Sequence, residues 1–503
     1  MMGQERGHRP EQTNRRRGIR RIALSWLIVP VLLAGCAVGP QLAPPTMHAP
    51  TPYIRGASTG APSPQTLRWT SNVAVQWWTL FHTPLLNQYI RAALQANPDV
   101  AAARATLARQ DALTRAAAAG FLPQVVGTMG AERARALTAG ANGGTAYRIP
   151  GNLYTLLLGA VDVRYQPDLF GATADRLHSA QAEQQVAAAQ LRMSEIFLQA
   201  AVARAVIQAA SAREQCKAAE KIATADQRLL TLLRQEYRLG ASNLEEVRQQ
   251  EALTASARAA IPPLRAARDA SRYALADLLG RYPDDTLRLP RLSAMRLPSQ
   301  LPTALPSVLL EQRPDIVTAR AATDAARARA KLATANRFPQ MQITAELGKA
   351  AQGGAAFFNP LSTLWSLGTA IVGPIYEGGA LANEERAAIA DYQRASDQYR
   401  ATVFRAFEQV ADALRALRSG AQTFQQTQIA ATAARQALTL ARGRYRDGDI
   451  GYSAVLEAEI AAQRDTQAAI EARSQRYLDT VALFLALGEG WSSERDAVIS
   501  GAR

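Results

Sequence analysis

The sequence predicts an α+β membrane protein made of two tandem copies of one unit, each a pair of strands set among very long helices. Three observations carry that expectation. Short motifs recur at a nearly constant offset of about 210 positions, the signature of a duplicated structural unit. Segments in both copies alternate apolar and polar residues with the period of a strand. The chain also runs from Gly171 to Leu239 without a proline or an interior glycine, which favours one helix of roughly 100 Å.

The 503 residues are 48% hydrophobic, 20% charged and 6% aromatic, and alanine supplies much of the apolar share. Alanine is the strongest helix former, so this composition favours long helices over a core of large side chains. Apart from one short N-terminal run, no stretch reaches the roughly 18 apolar residues of a spanning helix, which excludes a polytopic helical membrane protein. Two cysteines and four scattered histidines exclude a disulfide scaffold and argue against a His/Cys metal site. The net charge is +15, of which +10 lies beyond residue 35. The Lys and Arg are spread along alanine-rich helices and form no obvious patch, so no nucleic-acid partner is expected.

Arg15, Arg16, Arg17, Arg20 and Arg21 precede the apolar run Ile22–Leu33, the layout of a signal peptide over residues 1–35. The run ends in Leu33-Ala34-Gly35-Cys36, which matches a bacterial lipobox at all four positions. An ordinary secretory signal with a chance cysteine is the alternative. Cleavage before Cys36 leaves that residue to carry a diacylglycerol and an N-acyl chain, an anchor in which each buried CH2 contributes about 0.8 kcal/mol. No other cofactor is expected. Residues 36–76 follow as an extended segment, with Pro40, Pro44, Pro45, Pro50, Pro52, Pro62 and Pro64.

The two copies are expected over residues 77–282 and 307–490, joined by a Pro-rich link at 283–306 and followed by a tail at 491–503. Asn97-Pro98-Asp99-Val100 is answered by Arg313-Pro314-Asp315-Ile316, and Phe121-Leu122-Pro123-Gln124 by Arg337-Phe338-Pro339-Gln340, both 216 positions on. Tyr237-Arg238-Leu239-Gly240 is answered by Tyr445-Arg446-Asp447-Gly448, and Leu279-Gly280 by Leu487-Gly488, both 208 positions on. In each copy a helix follows the Pro-Asp pair, and Pro123 or Pro339 breaks it. Strands come next. Met341, Ile343, Ala345 and Leu347 alternate with Gln342, Thr344 and Glu346; Leu157, Val161 and Val163 alternate with Asp162 and Arg164. The loops Ala139–Gly151 and Gly353–Pro360 join the strand pairs. A very long helix then runs to Gly240 or Gly448, where the chain reverses into another helix ending at Gly280 or Gly488.

A strand with one apolar and one polar face suits a transmembrane barrel. Four strands cannot close a barrel, and lipid does not tolerate an open edge, so closure demands several chains. Two chains would give eight strands, which can also close. A soluble helical protein with two surface hairpins leaves the strand faces and the lipid anchor unexplained.

These residues resemble the outer membrane factor family, whose type member is TolC, and its lipoprotein branch of NodT/OprM-like efflux proteins most closely. The resemblance rests on Cys36-Ala37-Val38-Gly39-Pro40, on Trp77-Trp78-Thr79-Leu80-Phe81 leading to Leu85-Leu86-Asn87, on Asn97-Pro98, and on Asp168-Leu169-Phe170-Gly171. It covers residues 36–490. It implies a homotrimer with a twelve-stranded barrel in the outer membrane and a twelve-helix periplasmic tunnel. It also implies a periplasmic membrane-fusion adaptor and an inner-membrane pump, often of the RND class, as partners.

By the same resemblance Leu239, Gly240, Ala241 and Ser242, with Asp447, Gly448 and Asp449, form the tips that meet the adaptor. Tyr445, Glu246 and Glu457 match positions of the family's periplasmic gate, while Ala454 stands where an acid is often found. The bland reading of Glu246 and Glu457 is that they are solvated helix residues. Three functions remain open: an exit duct for drugs or other small toxic compounds, a duct for type I protein secretion, and a non-transporting lipoprotein. The lipobox favours the first over the second, and the duplicated strand pairs speak against the third. No nucleophile–base pair suggests an enzyme.

Overall fold

The structure, a computed structural model, describes residues 39–47, 65–70, 76–135, 153–283, 287–304 and 312–488, together with Gly3 and Leu310. The expected lipidation site Cys36, nearly all of the expected signal peptide, the loop Ala139–Gly151 and the tail 491–503 lie outside the described residues.

In chain order the first elements are β1 (Thr66–Thr70), α1 (Pro84–Ala96), α2 (Pro98–Ala118), β2 (Gln124–Arg135), β3 (Leu153–Tyr165), α3 (Ala172–Arg238), α4 (Leu244–Ala259) and α5 (Ile261–Leu278). Then come β4 (Gln300–Ala304), α6 (Pro314–Ala335), β5 (Gln340–Gln352), the one-turn α7 (Gly354–Phe357), β6 (Thr363–Val372), α8 (Ala380–Arg446) and α9 (Tyr452–Leu487). The duplication is visible in the lengths: α3 and α8 each have 67 residues.

Two compact units divide the chain. The first includes residues 111–182 and 324–394 and carries a four-stranded antiparallel sheet in the order β2-β3-β5-β6. The register sorts its side chains onto two faces. Val161 stands opposite Leu347, and Leu347 opposite Trp365. Val125, Val163, Ala345 and Leu367 form the next row on the same face. Glu346 pairs across with Asp162 and Ser366 on the other face. Val125, Met129, Leu347, Trp365, Leu367 and Ile371 are all exposed. At the seam between the copies β5 approaches β3 closely: a Cβ on Gly348 would lie 2.6 Å from the Gly159 carbonyl oxygen.

The junction from sheet to helix is built by the Asp168–Gly171 motif. Asp168 Oδ2 accepts from Ala174 N at 2.7 Å and so caps α3, while Phe170 stacks on Phe338 with ring centroids 5.1 Å apart. Arg337 and Thr334 both bond the Glu385 carboxylate at the matching corner of the second copy. The hydrogen bond from Thr334, with Arg337 behind it, holds Glu385 below the usual carboxylate range.

The second unit includes residues 44–110, 183–323 and 395–488. Trp77 stacks on Phe484 at 5.1 Å, and Phe81, Leu86, Ile90, Leu275 and Leu279 are buried with them. Each copy ties the helix that opens at its Pro-Asp pair to the end of its own last helix. Asn97 caps α2 by accepting Asp99 N at 2.9 Å and donates to Leu278 O at 3.1 Å. Arg313, its counterpart, donates to Ala486 O at 2.8 Å and pairs with Asp315 at 2.9 Å.

Two expectations need correction. The return helix of the first copy is not continuous to Gly280: it breaks at Ala260 between α4 and α5. Pro262 and Pro263 stand just beyond, without the N–H groups that a continuous helix needs. Its counterpart α9 has no proline and runs unbroken for 36 residues. The Pro-rich link is also not merely a connector, because β4 within it pairs in parallel with β1, Thr66 opposite Gln300.

Candidate functional site

The expected tips are two helix reversals of the same design. Gly240 takes φ +74°, its N–H donates to Tyr237 O, and Ala241 N reaches back to Glu236 O at 2.8 Å. Gly448 takes φ +81°, and Asp449 N reaches back to Arg444 O at 2.9 Å. Both are Schellman closures, which require a left-handed residue. Open space surrounds each glycine, so the backbone angle alone selects it. Leu239, Ala241, Asp447 and Asp449 are exposed around the bends, and Ser242 is half-buried.

The two exits differ. Asn243 caps α4 by accepting Glu246 N at 2.9 Å, and Ser242 Oγ donates to Glu246 Oε2 at 2.7 Å. Gly451, which leads into α9, has no side chain to offer. The first turn is therefore pinned on both sides and the second on one.

Of the expected gate residues, Tyr445 and Glu246 come together. The Tyr445 hydroxyl donates to Glu246 Oε2 at 3.5 Å, and its ring packs edge-on against Tyr452 at 5.5 Å. Burial foremost, then the negative charge of Glu246 and Glu236, pushes the Tyr445 phenol up to about 12. The hydroxyl therefore keeps its proton and remains a donor. Glu457 stands apart, exposed on α9. Ala454 is half-buried one turn before it.

Behind Tyr445 lies a polar network that the sequence reading did not single out. Tyr452, fully buried, donates to Gln250 Oε1, and Gln250 Nε2 donates to Asp226 O at 3.1 Å. Arg442 Nη2 donates to the buried Glu459 at 2.6 Å. α3, α4, α8 and α9 each supply a member. Leu230, Leu233, Val247 and Val455 pack around it. A signal was present: Asp226-Leu230-Leu233 and Tyr452-Val455-Glu459-Ala462 follow three–four spacing, so both acids sit on the buried stripe of their helix. Beside the network an open groove of about 940 Å³ is lined by Leu229, Leu232, Glu246, Tyr445 and Tyr452 among others. Cys216 lies elsewhere, buried, with its thiol directed to Glu220 Oε1 at 3.6 Å.

A sheet with an exposed apolar face, joined to paired helices of such length, defines a membrane channel of the outer-membrane type. The chain belongs to the outer membrane efflux protein family, whose pattern matches residues 89–281 and again 305–489. It is 27% identical to the pyoverdine export outer membrane protein OpmQ of Pseudomonas aeruginosa, over 94% of this chain and 98% of that one. It is 29% identical to the toluene efflux pump outer membrane protein TtgF of Pseudomonas putida, over 92% and 96% of the two chains. Among solved structures, the outer-membrane channel OprN superposes with a TM-score of 0.81 at 27% identity, covering 91% of this chain and all of that one. The protein is an outer-membrane efflux channel, and its family consists of ducts rather than enzymes.

Proposed function

We propose that three copies of this chain close their sheets edge to edge, β6 of one against β2 of the next, into a twelve-stranded barrel. The helices of the three copies then form a twelve-helix tunnel in the periplasm. The observation that carries this reading is the sheet itself. It exposes an apolar face, and among the described residues neither β2 nor β6 has a strand on its outer side. In lipid those edge N–H and C=O groups must be paired. Four antiparallel strands per chain let the alternation continue unbroken from copy to copy.

In this reading the channel is a passive exit duct for small toxic compounds. A periplasmic adaptor meets the turns at Gly240 and Gly448 and links the duct to an inner-membrane pump of the RND type. Tyr445, Glu246 and Glu457 line the periplasmic constriction, and an acylated Cys36 anchors the N-terminus in the outer membrane. Relatives named for cargoes as different as pyoverdine and toluene support a duct whose cargo is chosen by the pump. Light scattering of the detergent-extracted protein tests the assembly: three chains per particle are expected. A stable monomer would overturn the barrel, and a dimer would replace twelve strands by eight.

A further inference from the structure

The duct reading makes no use of Asp226 and Glu459, the two acids inside the network beside the turns. Asp226 of α3 is fully buried and Glu459 of α9 is 3% exposed. Each has one satisfied oxygen. Asp226 Oδ2 accepts from Gln463 Nε2 at 3.4 Å, and Glu459 Oε1 accepts from Arg442 Nη2 at 2.6 Å. Each also has one buried oxygen, Asp226 Oδ1 and Glu459 Oε2, with no donor. Gln463 stands one turn after Glu459 on α9, so the face of α9 that carries Glu459 is the one turned to Asp226, and hydrogen bonding between the two carboxyl groups adds to burial in raising Asp226.

Two ionised carboxylates cannot bond each other, because both only accept. A single proton between them turns two orphaned acceptors into one donor–acceptor pair. It also leaves one negative charge, which Arg442 balances. We propose that Asp226 and Glu459 share one proton in the packed protein near neutral pH, and that this proton holds α3 to α9 beside the turns.

The surrounding groups fit that assignment. α8 contributes Arg442, α9 contributes Tyr452 and Gln463, and α4 contributes Gln250 and Thr254. Of these only Arg442 is charged: burial foremost, then Glu459 and Asp226, pushes the Tyr452 phenol up, so it stays neutral. Burial foremost, then Glu459, lifts Asp226 from 3.8 to about 7. In a loosened state Asp226 returns to the ordinary carboxyl range. The packed state therefore holds an extra proton between those two values. Its contribution to stability is complete below about pH 4, is lost as pH rises toward 7, and stays level above that.

Amide hydrogen exchange of the full-length protein in detergent tests this, with protection corrected for the intrinsic pH dependence of exchange. In the wild type, protection over residues 222–234 and 452–463 should fall by up to roughly tenfold per pH unit between pH 5 and 7, then level off. Asp226→Asn supplies a permanent donor to Glu459 and should flatten the profile. Glu459→Gln offers a donor to Asp226 and an acceptor to Arg442, and should flatten it too. A flat wild-type profile, or an unchanged slope in both variants, overturns the proposal. If neither variant assembles, infrared titration of the wild type decides: a carboxylic-acid band that persists at pH 6 and disappears near 7 supports the shared proton, and no such band at pH 6 overturns it. The readout is local opening, not transport, so its failure is distinct from failure of the duct reading.

Discussion

Gly420 and Gly443 both lie inside the continuous helix α8, in different surroundings. A Cβ on Gly420 would collide with Asp479 Oδ2, while Asp479 Oδ1 is held by Gln475 Nε2 at 2.7 Å. At Gly443 nothing lies within 4 Å. Alanine in a helix is normally favoured over glycine by up to about 1 kcal/mol. Gly443→Ala should show that gain. Gly420→Ala should instead lose about 1 kcal/mol or more, because the crowded Asp479 must leave its bond. Thermal unfolding of the purified protein should thus rank Gly443→Ala above wild type and wild type above Gly420→Ala. The sequence marks both positions only as interior glycines. What separates them is Asp479, on a helix that no local pattern connects to Gly420.

At the scale of elements, the two turns were legible because a Schellman closure leaves a local signature, a glycine after a helical run. Gly448→Trp strains only the bend, since open space surrounds it. It should lower drug resistance in cells while outer-membrane levels stay normal; undiminished resistance would remove this turn from docking. The pairing of Tyr445 with Glu246 leaves no local signature. Tyr445 and Glu246 meet across the network, but their bond joins residues 199 positions apart, and no spacing rule reaches that far. Tyr445→Phe removes the hydroxyl from Glu246 and should raise single-channel conductance in planar bilayers. Unchanged conductance would place the constriction elsewhere. The buried acids escaped notice because a carboxylate on an alanine-rich helix looks the same whether it faces water or a neighbouring helix. The break at Ala260 was readable from Pro262-Pro263, which the length of the surrounding helical pattern concealed.

For the whole molecule, duplication made the architecture legible. A motif offset repeats over nearly the entire body, and each copy fixes the interpretation of the other: the clear alternation in β5 supports strands in the first copy, where glycines and alanines blur it. The parallel pair β1–β4 was hidden for the opposite reason. Each strand has five residues and sits beside prolines, and the partners are 234 positions apart.

The sheet has a further consequence in genetics. In the proposed trimer every copy contributes both a donor and a receptor edge, so no two chains can close the ring around a third that is faulty. A chain with a spoiled β6 edge but intact helices would still enter assemblies. Expressed equally with the normal chain, it would leave only about one trimer in eight free of the defect. Lesions in β6 would then be dominant in a cell carrying both alleles, whereas mutations that prevent the chain from folding at all would be recessive.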